Sequence, residues 1–172
     1  RERAQAILVH LGRRIYRRPL TSAEVDRHMS LYDGAPAMFD NGTSAYRAGV
    51  NMLVRTLLQS PYFLYRLDLT PAEGAPTRLG SYDVAAKLAL ALWNSAPDDQ
   101  LLDAAERGDL GSIEGVRQQA ERMIEDPKAR DMILDHYDQM FRFYDWFNMR
   151  KQDPAFDSEV AASMEREMEL FF

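Results

Sequence analysis

The sequence contains no cysteine, and this absence excludes several classes of chemistry. Without thiols the chain has no disulfide, no thiolate metal site, no cysteine nucleophile and no covalently attached c-type haem. It also lacks an apolar run near the roughly 18 residues that a membrane span requires. Serine nucleophile motifs, phosphate-binding loops and dinucleotide fingerprints are missing as well. The 172 residues have ordinary hydrophobic and charged fractions, 46% and 28%, which are typical of a folded globular protein.

Negative charge dominates the sequence, but it is unevenly distributed. The formal net charge is -6, although residues 1–18 hold six arginines and one acid, for a local charge of +5. The other residues therefore carry -11. Because an acidic body repels a polyanion and one short basic segment is a small footprint, nucleic acid is not an expected partner.

Apolar residues recur at helical spacing through most of the chain, and no segment alternates with the period of a strand. The third predicted helix has its buried side at Tyr46, Val50, Leu53, Val54, Leu57 and Leu58. The predicted helix boundaries are Pro19, a Thr21–Glu24 capping box, Ser60-Pro61 with an irregular aromatic stretch after it, Asp98 and Asp126-Pro127. The sequence predicts an all-α fold, an irregular bundle of about eight helices without significant β-sheet.

The chain is predicted to consist of two helical modules. The stretch TPAEGAPTRLG, residues 70–80, has two prolines, two glycines and little apolar content, which is typical of a linker. We therefore expect a first module at 1–69, a linker at 70–78 and a second module at 79–172. The apolar ending MELFF leads us to expect that the second module continues beyond residue 172.

The segment LGRRIYRRPL places Arg14, Arg17 and Arg18 at the predicted end of the first helix. Cations there interact favourably with the helix dipole, and the acidic remainder of the chain offers carboxylate partners. The alternative is a binding site for an anion or a partner protein, with these three arginines as its residues.

The segment HYDQMFRFYDWFNM is the most aromatic part of the sequence. Tyr137, Phe141 and Tyr144 form one stripe, and Trp146 continues it around the helix. Because several faces are apolar, core packing is one interpretation. The other is a platform that binds a carbohydrate or a protein partner through flat aromatic faces.

Metal and acid–base chemistry find little support in the sequence. His10, His28 and His136 lack a second histidine at helical metal-ligand spacing, and no metal site is expected. Glu165 and Glu169 share a helix face, but without Glu-x-x-His partners on other helices a solvated acidic face is the expected interpretation.

Five segments resemble a known series of motifs in the same order: LGRRIYRRPLTSAEV, SPYFLYRLD, YDVAAKLALALWNSAPDDQLLDAAERGDL, RQQAERMIEDPKARDMI and MEREMELFF. They resemble the paired domains of unknown function in large planctomycete-type secreted cytochrome c proteins. One departure is Lys87, which stands where an arginine is common. The resemblance implies export to the periplasm or cell surface, and a c-type haem in another domain of the same polypeptide. Since the chain has no cysteine and no metal-ligand spacing, no cofactor is expected in this fragment itself.

These observations favour a non-catalytic helical scaffold or interaction module of a larger exported protein that carries a haem domain. Its expected partners are other domains of the same polypeptide, together with a protein partner or a polysaccharide. Two alternatives stay open. One is part of an enzyme, acting on a polysaccharide, whose site is completed by further sequence. The other is an acidic docking surface for electron transfer.

Overall fold

The computed structural model describes residues 1–39, 43–65, 79–142 and 156–171. In these ranges the chain forms nine α-helices and two 3-10 helices and no β-strand, which confirms the all-α fold. The α-helices are α1 (Glu2–Tyr16), α2 (Ser22–Gly34), α3 (Ala45–Leu58), α4 (Pro61–Leu64), α5 (Ser81–Trp93), α6 (Asp99–Glu106), α7 (Ile113–Ile124), α8 (Pro127–Phe141) and α9 (Ser158–Phe171). The 3-10 helices are Ala35–Ala37 and Asp109–Gly111. The predicted linker, 70–78, lies outside the described residues.

None of these helices combines the length and the apolar character that crossing a membrane requires. The longest of those described have 15 residues, α1 and α8. A helix rises about 1.5 Å per residue, so such a helix is shorter than the hydrocarbon core of a bilayer.

Side-chain caps open the helices at the predicted positions. The capping box of α2 is present, since Thr21 Oγ1 accepts from the Glu24 amide at 3.3 Å and Glu24 accepts from the Thr21 amide at 2.8 Å. Asp98 caps α6 by accepting from the amide of Leu101 at 2.8 Å. Asp126 caps α8, with Pro127 at the first helical position. These caps satisfy backbone amides that the first helical turn leaves without partners.

Two local predictions are wrong. The stretch after Ser60 is helical rather than irregular, because the Ser60 hydroxyl accepts from the Tyr62 amide and a proline fits the first turn of a helix. The buried side of α3 is also narrower than predicted, since Tyr46, Val54 and Leu58 are exposed.

The helix pattern of α3 explains that narrow buried side. Its buried positions are Gly49, Leu53 and Leu57, which follow a spacing of four residues, and Ala48 beside them. Gly49 lies directly against the Tyr32 ring of α2, so a small residue lets the two helices approach closely. Val54 and Leu58 consequently lie beside the contact, whereas Leu53 and Leu57 lie in it.

The described chain divides into two compact units, and the division does not follow the predicted modules. The first unit contains residues 1–91 and 95–117. The second contains 92–94 and 118–172, so that the division falls inside α7. The two-module organisation of the sequence stays a prediction, and each compact unit is described separately below.

The core of the first unit lies where α1, α2 and α3 pack together. Its buried members are Ala4, Leu8, Tyr16, Met29, Leu53 and Leu57, with Leu11, Ile15, Leu20, Val25 and Tyr32 packed against them. In α1 the buried residues recur every fourth position from Ala4 to Tyr16. This stripe continues to the last residue of the helix, and it therefore leads the core directly to the arginine-rich segment.

Trp93 is a buried residue of the second unit. It is 5% exposed, and the indole Nε1 donates a 2.9 Å hydrogen bond to the carbonyl oxygen of Met123. The Arg122 guanidinium and the Lys128 ammonium lie 5.4 Å and 4.5 Å from the ring centroid. The indole is thus fixed by a hydrogen bond from its nitrogen and by two cations near its ring.

Candidate functional site

The arginine-rich segment lies at the end of α1, where the chain turns toward α2. The helix ends at Tyr16 because Arg17 adopts a left-handed conformation, with φ 57° and ψ 22°. Pro19 follows two residues later and disfavours the helical conformation of Arg18. Arg17 Nη1 donates a 3.0 Å hydrogen bond to the carbonyl oxygen of Tyr62 in α4.

Arg18 forms a two-bond ion pair with Glu24. Its Nη1 and Nη2 donate to the two carboxylate oxygens at 2.9 Å and 2.7 Å. The hydrogen bond from Arg18 lowers the pKa of Glu24 to about 2, and the amide of Thr21 contributes in the same direction. The pKa of Arg18 is raised above its usual range by the same contact. The acid of the capping box therefore also fixes Arg18.

Two tyrosine rings complete the surroundings of Arg18. Its guanidinium carbon lies 4.8 Å from the Tyr62 ring centroid and 5.6 Å from that of Tyr16. The rings themselves are 4.8 Å apart and inclined at 33°. Because a guanidinium is attracted to an aromatic face, this geometry stabilises the cation without an external anion.

Arg13 and Arg14 contact one face of α6. Arg14 donates through Nε and Nη2 to the two oxygens of Asp99, at 3.3 Å and 2.9 Å. Arg13 Nη2 donates to both Asp103 and Glu106, the latter at 3.0 Å. The hydrogen bond from Arg14 lowers the pKa of Asp99. The carboxylate partners expected from the acidic part of the sequence are therefore present.

A buried polar chain lies beneath this segment. His28 is 6% exposed, and its Nε2 lies 3.1 Å from the Tyr16 hydroxyl. Its Nδ1 lies 3.1 Å from Thr56 Oγ1, which itself donates to the carbonyl oxygens of Met52 and Leu53 at 3.0 Å and 3.1 Å. With the single threonine hydrogen directed at these carbonyl oxygens, Nδ1–H donates to Thr56 and Nε2 accepts from the Tyr16 hydroxyl.

This hydrogen-bonding pattern requires neutral His28. Burial lowers the pKa of the imidazole, and the nearby positive charge of Arg27 acts in the same direction. Glu24 acts in the opposite direction but is the smallest of these influences. A neutral histidine with both nitrogens occupied suits a structural role in the core.

The aromatic candidates of the second unit are only partly described. Tyr137 and Phe141 stack on α8, with ring centroids 5.9 Å apart and an interplanar angle of 6°. Tyr137 is half-buried and Phe141 is exposed. Tyr144 and Trp146 lie outside the described residues. The Phe141 side chain is therefore not part of a buried core among the described residues. The binding role of these four residues stays a prediction.

Within the described ranges, no three histidine or acidic side chains converge as metal ligands. His28 contacts a tyrosine and a threonine, and His136 lies edge-on to the Tyr137 ring at 5.8 Å. The side chains of Glu165 and Glu169 lie outside the described residues. The question of a cofactor therefore rests on the sequence, which contains no cysteine for covalent haem attachment.

Sequence reasoning missed two parts of this arrangement. Asp99, Asp103 and Glu106 recur at helical spacing, and this signal could have identified an acidic face. No comparable signal links His28 to Tyr16 and Thr56, because the three residues come from separate helices. Their association depends on how α1, α2 and α3 pack.

The geometry defines an all-α protein whose basic segment is engaged within the chain. Comparison with family models identifies the family: the chain belongs to the one described as PSD4, protein of unknown function (DUF1592), whose model matches residues 79–172. A second model, PSD5, protein of unknown function (DUF1595), matches residues 3–68. The two matches confirm the paired domains of unknown function. Searches of curated proteins and of solved structures found no match.

Proposed function

We propose that this chain is a non-catalytic helical scaffold and interaction module of a larger exported protein that carries a c-type haem in another domain. The main observation in favour of this proposal is that the candidate arginines Arg14 and Arg18 bind carboxylates of the same chain. Arg14 and Arg18 each use two nitrogens on a carboxylate of the same chain. An anionic substrate would have to displace these internal partners, which disfavours the segment as a substrate site.

Exposed apolar side chains supply the surface for interaction. Four consecutive residues of the SPYFLYR segment have exposed, largely apolar side chains: Tyr62, Phe63, Leu64 and Tyr65. On α9, Leu170 and Phe171 are 74% and 80% exposed. Large apolar side chains in such groups are typical of surfaces that contact another protein segment. The partner that we propose is another domain of the same polypeptide.

The proposed export and the proposed haem domain both rest on the sequence resemblance. The chain itself has no cysteine, so covalent haem attachment would depend on another domain. The role of this module would be to position that domain, with its own helices as a rigid support.

Side-chain oxidation footprinting tests the proposal. Hydroxyl-radical labelling would be compared between the 172-residue chain and the full-length protein. We expect Phe63, Leu64 and Tyr65 to be labelled in the isolated chain and protected in the full-length protein. Ile113, which is 83% exposed on α7, is the matched apolar control and should be labelled in both.

A second measurement separates scaffold from enzyme. Arg14→Gln and Arg18→Gln would be introduced into the full-length protein, and turnover of soluble polysaccharides would be measured together with thermal stability. The scaffold proposal expects little loss of stability for Arg14→Gln, a larger loss for the less exposed Arg18, and no change in turnover for either variant. Equal labelling in both proteins, or a loss of turnover in a stably folded variant, would overturn it.

A further inference from the structure

The two family models divide the chain at residues 69–78, whereas the first compact unit extends from residue 1 to 117 apart from 92–94. We propose that the basic end of α1 is a docking surface for the acidic face of α6, and that this contact joins the two family segments into one cooperative folding unit. The partner of Arg13 and Arg14 is then the neighbouring family segment of the same chain.

The arrangement of charge on α6 supports a specific contact. Asp99, Asp103 and Glu106 occupy positions i, i+4 and i+7, which lie along one side of a helix. We call these three residues the acidic face. The opposite side of α6 buries Leu101, Leu102, Ala104 and Ala105. The helix is therefore held by apolar packing on one side and by arginines on the other.

The ion pairs join positions that are distant in sequence. Arg14 and Asp99 are 85 residues apart, and Arg13 and Glu106 are 93 residues apart. Both arginines belong to the segment matched by the DUF1595 model, and both acids belong to the segment matched by the DUF1592 model. Local helix formation cannot produce such pairs, so they report tertiary docking of α1 on α6.

Arg13 is the centre of this contact. Only 20% of its side chain is exposed, and one guanidinium nitrogen reaches two carboxylates. Its two carboxylate partners, Asp103 and Glu106, are 51% and 59% exposed, so Arg13 is the most enclosed member of the contact.

The ion pairs between α1 and α6 contribute more to the specificity of the contact than to its free energy. The Arg14–Asp99 pair is half exposed on both sides, and such pairs contribute little to stability. Complementary charge instead fixes which face of one helix meets which face of another. The apolar side of α6 supplies burial, and the arginines supply register.

Hydrogen exchange on the full 172-residue chain, followed by mass spectrometry over a urea series, tests cooperativity. Leu53→Val trims the core of the DUF1595 segment, and we expect it to accelerate exchange about three- to tenfold. If the unit is cooperative, the same factor will be found in peptides from α2 and in peptides from α6. Acceleration confined to α1–α4 would overturn the proposal.

Charge reversal tests the docking surface itself. Arg14→Glu should accelerate exchange in α6 about three- to fivefold, and the double variant Arg14→Glu with Asp99→Arg should restore at least half of that change. Arg3→Glu, the same charge change at the other end of α1, is the matched control and should leave α6 unchanged. Equal effects of Arg3→Glu and Arg14→Glu on α6, or the absence of rescue, would overturn the proposal.

Discussion

The two compact units differ in where they place their large apolar side chains. In the first unit, Leu8, Leu53, Leu57, Leu101 and Leu102 are completely or almost completely buried, while α4 and single positions such as Ile113 expose apolar side chains. In the described part of the second unit, Trp93 and Met123 are the large buried apolar residues, whereas Ile133, Met140, Phe141, Leu170 and Phe171 are exposed. Hydrophobic burial is the main favourable term in folding, so the first unit has the stronger internal basis for stability.

This difference relates the structure to the proposed role. A unit with its own core can act as a support, and exposed apolar helices, α4 in the first unit and α8 and α9 in the second, gain from packing against a partner. The experiments below alter each unit separately, and they are arranged from the largest expected effect to the smallest.

The largest effect is expected in the core of the first unit. Leu57 is 0% exposed, and Leu57→Ala should lower the free energy of unfolding by about 2–5 kcal/mol, since it removes buried methyl groups and leaves a cavity. The neighbouring Leu58 is 42% exposed, and Leu58→Ala should cost less than about 1 kcal/mol. Urea unfolding followed by circular dichroism measures both. Similar costs for the two variants would contradict the assigned core.

Close helix packing in the same unit gives a second pair of variants. A Cβ at Gly49 would collide with the Tyr32 ring, so Gly49→Ala should cost about 1–3 kcal/mol through overpacking. At Gly34, the last residue of α2, a Cβ meets nothing within 4 Å. Gly34→Ala should therefore be neutral or stabilising by about 0.4–1 kcal/mol, because it restricts the unfolded chain. Thermal unfolding would show opposite shifts, and shifts of the same sign would contradict the packing of α2 on α3.

The pattern of helices, caps and charges was accessible from the sequence because it depends on local rules. The Thr21–Glu24 box and the Asp98 cap are short-range hydrogen bonds, and they formed where the sequence predicted them. The buried stripe of α3 was predicted less well, since Val54 and Leu58 are as apolar as Leu53 and Leu57. Which of them is buried depends on where Tyr32 meets Gly49, and that is a tertiary property.

At the candidate site, too, the sequence predicts local features but not the contacts that depend on tertiary packing. The arginines and the need for acidic partners could be predicted from charge alone, whereas the identity of Asp99 as the partner of Arg14 required the docking of α6. The His28–Tyr16–Thr56 chain was inaccessible, because a lone histidine on a helix carries no sign of its neighbours on two other helices.

The buried histidine predicts a dependence of stability on pH. The pKa of His28 is lowered in the folded state, so the unfolded chain takes up the proton first as the pH falls. Its contribution is therefore complete above the ordinary histidine pKa of about 6.5, and it decreases as the pH falls from there toward the lowered folded-state value. At pH 8, His28→Gln should cost about 1–3 kcal/mol, because Tyr16 and Thr56 lose well-placed partners.

Urea unfolding of the parent chain and of His28→Gln would be compared between pH 8 and pH 5. The stability difference between the two proteins should shrink as the pH falls, since only the parent has the titrating imidazole. His10 and His136 are present in both and cancel in the difference. A difference that is the same at every pH would contradict the neutral, buried state of His28.

The smallest effect is expected in the second unit, at the cations beside Trp93. Lys128→Gln removes the ammonium that lies 4.5 Å from the ring centroid, and it should cost about 0.5–1 kcal/mol. Lys128→Arg keeps a cation at the same position and is the matched control. Trp93→Leu, measured alone and with Lys128→Gln, closes a double-mutant cycle that isolates the contact from other effects of the lysine, because leucine has no aromatic face. A coupling near zero would show that the Lys128 ammonium adds nothing to the burial of Trp93, its hydrogen bond to Met123 and its contact with Arg122. A coupling in the expected range would show that part of this unit's stability comes from charge placed over an aromatic face, in a unit whose described residues include Met123 as the other large buried apolar side chain.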